Sequence, residues 1–149
     1  MGQPSFSPFR RELARQGRPS VVVIEDNPAD VFLIQEALRA QKLELELEII
    51  EDGETAIDLI ARLDEDDDQP CPRLMLLDIN LPRKDGFEVL ARLRNSKRCA
   101  DIPVIVMTSS ATQSDRARSA ELGANAYFQK PAGYAAFLKI GDVVRSQLK

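Results

Sequence analysis

From Pro19 onward, short apolar runs alternate with amphipathic stretches five times, the order expected of a parallel sheet whose crossover helices cover both faces. Val21 to Ile24, Leu74 to Leu77 and Val104 to Met107 are unbroken apolar runs, as central strands buried on both sides must be. Leu43, Leu45, Leu47 and Ile49 alternate with Glu44, Glu46 and Glu48. That pattern puts charge on one face and sends this second strand to an edge. Ala126 to Gln129 is short and partly polar, and takes the other edge. Right-handed crossovers then favour the strand order 2-1-3-4-5, a flavodoxin-like, doubly wound α/β fold with five helices.

The helices between these strands have readable ends and faces. Asn27-Pro28 supplies an N-cap and a proline at the first helical position, followed by Val31, Ile34 and Leu38 on one stripe. Asp52-Gly53 turns the chain into a helix carrying Ala56, Ile57 and Ile60, and Gly86 precedes Phe87, Leu90 and Ala91. Phe137, Ile140, Val144 and Leu148 form a continuous stripe on the last helix. The fourth, from Thr112 to Leu122, offers mainly Ala117, Ala120 and Leu122. It buries the least surface, and is the helix expected to move.

Composition narrows the chemistry. The chain has 149 residues, a net charge of -4 and no histidine, so it cannot itself supply a Ser-His-Asp group, a histidine-ligated metal or a phosphohistidine. The acidic balance argues against a nucleic-acid surface, and no apolar run approaches the roughly 20 residues that span a bilayer. Cys71 and Cys99 are too few for a disulfide framework or a four-thiolate zinc site and read as reduced thiols, which points to the cytoplasm. Residues 1–18, with Arg10, Arg11, Arg15 and Arg18 against Glu12, read as a basic extension in which Phe6 and Phe9 would be the anchors. Residues 19–149 form the single domain. The run Asp64 to Asp68 lacks the glycine and terminal glutamate of an EF-hand loop and reads as a solvated acidic loop.

In open parallel sheets ligands bind beyond the carboxyl ends of the strands, at the point where strand order reverses, here between strands one and three. Those ends carry Glu25-Asp26, Asp78, Thr108-Ser109-Ser110 and Lys130-Pro131. A single polar strand end is ordinary loop chemistry. Acids, a hydroxyl and a lysine from four strands facing one crevice are not. Glu25, Asp26 and Asp78 would repel one another unless a cation intervened, and hard oxygen donors in an open crevice suit magnesium. A backbone carbonyl near Asn80 would complete the shell, with Lys130 to clamp a phosphoryl oxygen and Thr108 to offer it a hydroxyl. A dehalogenase-like phosphatase would need a second acid where Asn80 stands. A nucleotide fold would need a glycine-rich loop where Glu25-Asp26 stands.

VVVIEDN, LMLLDINLPRKDG, IPVIVMTSSA and GANAYFQKP, in that order, resemble the receiver domains of bacterial two-component response regulators, the CheY-like domains, from about Ser20 to Lys149. The resemblance implies that Asp78 is the phosphoacceptor, Glu25 and Asp26 the acidic pair for magnesium, and Asn80 the carbonyl ligand. Thr108 becomes the switch hydroxyl, Tyr127 the switch aromatic and Lys130 the phosphate-contacting lysine, with a cis Lys130-Pro131 bond. Many receivers have two aspartates where this chain has Glu25-Asp26, so the longer acid would work through water. EDNPAD, NLPRKDG and ELGANAYFQKP resemble more narrowly the stand-alone receivers paired with phytochrome-type histidine kinases.

The implied chemistry moves a phosphoryl group from a kinase phosphohistidine to Asp78, so the chain catalyses its own modification and is not an enzyme with a separate substrate. Movement of Thr108, Tyr127 and the fourth helix would carry the signal to a downstream protein. Ser110 and Asn80 would flank the path of hydrolytic water. The family also allows pairing of two copies through the helix-four to helix-five face. With no helix-turn-helix expected after Lys149, output passes through protein contacts rather than nucleic acid or membrane. The competing reading is an adaptor that keeps the fold and signals without phosphorylation.

Overall fold

A computed structural model describes residues 18–109 and 112–148. In chain order they form β1 (Ser20–Ile24), α1 (Pro28–Ala40), β2 (Glu46–Ile50), α2 (Gly53–Glu65), β3 (Leu74–Asp78), α3 (Gly86–Arg94), β4 (Val104–Thr108), α4 (Gln113–Glu121), β5 (Ala126–Gln129), α5 (Tyr134–Phe137) and α6 (Ile140–Gln147). The five strands are parallel and lie in the order β2-β1-β3-β4-β5, as the apolar pattern predicts. The last helical layer comes as two pieces, α5 and α6, joined at Leu138 and Lys139.

Alternation along each central strand feeds two separate cores. Val22, Ile24, Met75, Leu77, Val104 and Val106 pack with Ile60, Leu63 and Leu90 from α2 and α3. Val21, Val23, Leu74, Leu76, Ile105 and Met107 pack on the other face with Ile34 and Leu38 of α1 and Ile140 and Val144 of α6. Each of these side chains contributes roughly 1.5–3 kcal/mol of burial, enough to hold the strand ends rigid beneath the crevice. On the edge strand β2 only Ile50 is fully buried, and the ladder begins at Glu46 paired with Ser20 rather than at Leu43.

Helix starts obey the chain's capping chemistry. The Asn27 side chain accepts from the Ala29 N–H at 2.9 Å, with Pro28 opening α1. Asp52 caps α2 through the Thr55 N–H, and Asp85 and Glu88 form a reciprocal capping box at α3. Gly86 is required by close approach, since a Cβ there would lie 2.5 Å from the Ile79 Cα and 2.6 Å from the Asp78 carbonyl oxygen. The glycine of the KDG stretch thus lets α3 begin directly against the end of β3.

Helix α4 buries one residue, Ser119, which fits its expected loose packing, although Ala117 and Ala120 are exposed and only Leu122 reaches the core. What holds it includes stacking of Arg116 on Tyr127 and Arg118 on Phe87, with guanidinium carbons 4.4 and 4.2 Å from the ring centroids.

Three expectations are corrected. Cys71 and Cys99 are joined in a disulfide rather than standing as reduced thiols. They precede the neighbouring strands β3 and β4, so the two loops meet beneath the sheet. Lys130-Pro131 is trans, with no cis peptide bond among the described residues. The trans form is the lower in energy by about 0.5–1 kcal/mol. The acidic run is not simply solvated, because Asp64 accepts from the Ser96 hydroxyl at 2.5 Å and the Arg98 N–H at 3.1 Å, and Arg98 donates to the Leu63, Asp66 and Gln69 carbonyls. Phe6, Phe9, Arg10, Arg11, Arg15 and Ser110 lie outside the described residues.

Candidate functional site

The crevice is built from strand ends. β1 runs into Glu25, β3 ends in Asp78, β4 ends in Thr108, and β5 is followed directly by Lys130, whose backbone N–H donates to the Thr108 carbonyl at 2.9 Å. Glu25, Asp78 and Thr108 are buried, while Asp26 is exposed at the mouth. Glu25, Asp26 and Asp78 each bring a carboxylate oxygen to within 4.8 Å of the others, the convergence that the strand order predicts.

Lys130 organises these acids. Its ammonium donates to Glu25 Oε1 at 2.6 Å, Asp30 Oδ2 at 2.8 Å and Asp78 Oδ2 at 2.9 Å. An ammonium has three donors, and these three acids engage them. The Thr108 hydroxyl accepts from the Asn80 side-chain amide at 3.0 Å, which ties the loop after Asp78 to the end of β4. Asp78 Oδ1 accepts the Asn80 backbone N–H at 2.9 Å. Asp30 was missed from sequence. An acid in a first helical turn is ordinary, and only the fold turns it toward Lys130.

Electrostatics follow from crowding. Burial pushes the Glu25 carboxyl up to about 7, with repulsion from Asp78 adding to the rise and the bond from Lys130 opposing it. Lys130 is buried too, but the bonds from Asp30, Glu25 and Asp78 outweigh that effect and hold its ammonium well above the usual lysine range. Both Glu25 oxygens are engaged, Oε1 by Lys130 and Oε2 by the Asn27 N–H at 3.1 Å. Acids outnumber the one cation among them. Together with the exposed Asp26, this donor set fits a hard divalent cation. Tyr127 lies on the neighbouring β5 opposite Val106, two positions before Thr108, its hydroxyl buried without a hydrogen-bond partner, and burial raises its phenol above the usual tyrosine range, helped by Asp115 and opposed by Arg116.

A 2-1-3-4-5 parallel sheet with three acids and a lysine at its carboxyl rim defines a receiver domain. Residues 21–140 match the response regulator receiver domain family, and the chain belongs to it as a receiver-domain response regulator. It is 36% identical over 126 residues to the response regulator Rcp1 of Synechocystis, a match covering 85% of this chain and 86% of Rcp1. Among solved structures it is similar to the phosphorylated cyanobacterial phytochrome response regulator RcpA, with 34% identity, a TM-score of 0.77 and coverage of 87% and 92%. The Mn(2+)-bound form of Rcp1 has 36% identity and a TM-score of 0.76, covering 86% of this chain and 92% of that one. No helix among the described residues is long and apolar enough to cross a membrane.

Proposed function

We propose that this chain is a phosphorylated switch that takes a phosphoryl group on Asp78 from the phosphohistidine of a sensor kinase of the phytochrome type. The observation that carries this reading is the single lysine shared by buried Glu25 and Asp78 at 2.6 and 2.9 Å. The similarity to phosphorylated RcpA and Mn(2+)-bound Rcp1 supports it. In the transfer the Asp78 carboxylate forms a P–O bond as the P–N bond of the donor breaks, and the imidazole leaves with the electron pair and takes up a proton. Lys130 neutralises charge on the moving phosphoryl oxygens, and the Asn80 N–H orients Asp78. Asp26, Asp78 and the Asn80 carbonyl would hold magnesium, with Glu25 beside them. Magnesium when bound supplies further neutralisation of those oxygens.

After transfer, Asp78 carries about -1.5 to -2 added charge. Thr108 moves toward the new oxygens, Tyr127 turns after it, and the thinly packed α4 shifts, changing the surface of α4, β5 and the last helical layer, α5 with α6, that a downstream protein or a second copy reads. In this reading residues 1–18 are an extension to the receiver at 19–149. A cytoplasmic location rests on the kinase partnership, since two free thiols no longer argue for it.

Incubation with acetyl phosphate and magnesium, and then intact-mass measurement, tests the reading. One added phosphoryl group is expected on the wild type, and none on Asp78→Asn or in the presence of chelator. A wild type that stays unmodified supports the phosphorylation-independent adaptor instead.

A further inference from the structure

Of the three carboxylates on Lys130, two belong to the cluster that would hold a cation and one does not. Asp30 lies outside the Glu25, Asp26 and Asp78 group, yet its Oδ2 sits 2.8 Å from the Lys130 ammonium, between the 2.6 Å of Glu25 and the 2.9 Å of Asp78. The bland account of Asp30 is the helix dipole, which favours an acid in the first turn of α1. That account leaves the side chain free to stay in water. Asp30 instead turns inward, with its side chain 19% exposed against an ammonium 7% exposed. Its position is fixed from below: Pro28 and the Asn27 cap set the start of α1, and Glu25 Oε2 in turn holds the Asn27 N–H.

We infer that Asp30 is a positioning residue for Lys130, the one acid that keeps hold of the ammonium when Glu25 and Asp78 turn to a cation and a phosphoryl group. The inference rests on the cation and lysine roles proposed above. A lysine stem has four rotatable carbons and no geometric preference of its own. Tethered at Asp30, the ammonium has its other two N–H groups on Glu25 and Asp78, and it stays in place when those acids turn to the cation and the phosphoryl group. Without Asp30 it falls back on Glu25 and Asp78 and competes with the cation for their oxygens.

Magnesium titration of the full chain, monitored by proton-nitrogen NMR of the backbone amides and of the Lys130 ammonium, tests this without any phosphoryl transfer. In the wild type the ammonium signal should survive to saturation. In Asp30→Asn the magnesium dissociation constant should rise about tenfold, the scale of one charge-assisted hydrogen bond, and the ammonium signal should vanish at saturation. In a Lys130→Met background the same Asp30→Asn change should move the constant by less than about twofold, because the effect runs through the lysine. An equal change in both backgrounds would show that Asp30 acts by its bare charge and would overturn the inference, as would an ammonium signal unaffected in Asp30→Asn. Should Asp30→Asn fail to fold, Asp30→Ser is read by the same two measurements. If the wild type takes no phosphoryl group but the coupling holds, only the proposed function falls. Phosphoryl uptake without the coupling removes only Asp30's role.

Discussion

The two rims of the sheet treat their acids in opposite ways. Under the strands, burial would raise Asp64, but the Ser96 hydroxyl, the Arg98 and Lys97 backbone N–H groups and Arg92 hold it down to about 2. Above them, burial takes Glu25 up to about 7, since one lysine serves three acids there. The lower rim is also tied by the Cys71–Cys99 disulfide and by Arg94, which donates to the Ala100, Ile102 and Gly123 carbonyls. Donors in surplus make a fixed structure. Donors in deficit leave charge that a cation or a phosphoryl group can rearrange.

If the rims are independent in this sense, damage below should cost stability and spare the site. Replacing both cysteines by alanine releases a crosslink spanning 28 residues and should lower the unfolding free energy by about 3 kcal/mol, read by urea titration. Magnesium affinity should stay within about twofold, and a tenfold loss would show that the rims are coupled. Arg98→Ala strips donors from three carbonyls and should cost about 2 kcal/mol in the same assay, again without moving magnesium affinity.

The upper rim should show its strain in the pH dependence. An acid whose folded pKa is raised stabilises the fold below its unfolded value and loses that contribution as pH rises through the folded one. For Glu25 the window runs from 4.5 to about 7. For Asp64, whose folded value is depressed, the contribution is present above 3.8 and lost as pH falls toward about 2. In chelator, wild-type unfolding free energy should therefore fall by about 2 kcal/mol between pH 5 and pH 8, and Glu25→Gln should flatten that slope. A wild-type profile already flat over that range would mean that Glu25 is no more strained than Asp64.

Much of the upper rim was legible because strand order and strand ends are set by hydrophobic pattern alone. Unbroken apolar runs name β1, β3 and β4, and the polar residues just past each run must then meet at the switch point. Asp30 was illegible for the opposite reason, since its spacing is that of any first-turn acid and nothing local distinguishes an inward carboxylate. The cysteines carried a signal that went unread: each precedes one of two strands expected to be neighbours, so their loops had to be close. The cis Lys130-Pro131 bond came from resemblance rather than from any feature of the chain. Lys130 reaches its three acids with the bond trans.

The smallest effect concerns Tyr127, on β5 beside the strand that ends in Thr108. Tyr127 buries its hydroxyl without a partner, a state that costs roughly 1 kcal/mol or more, while its ring keeps Arg116 stacked at 4.4 Å. Tyr127→Phe keeps the ring and removes the orphaned hydroxyl. It should therefore raise the unfolding free energy by about 0.5–1 kcal/mol, measured by urea titration at constant pH. The ring is partly buried against the core with Arg116 stacked on it, and the unpartnered hydroxyl opposes that packing. A loss of stability in Tyr127→Phe would mean that the hydroxyl finds a partner in solution, and the ring's resting position would then be hydrogen-bonded rather than packed. A gain, together with unchanged magnesium affinity, would place the strain of this receiver at two separate points, the shared lysine and the buried phenol, each released by a different event.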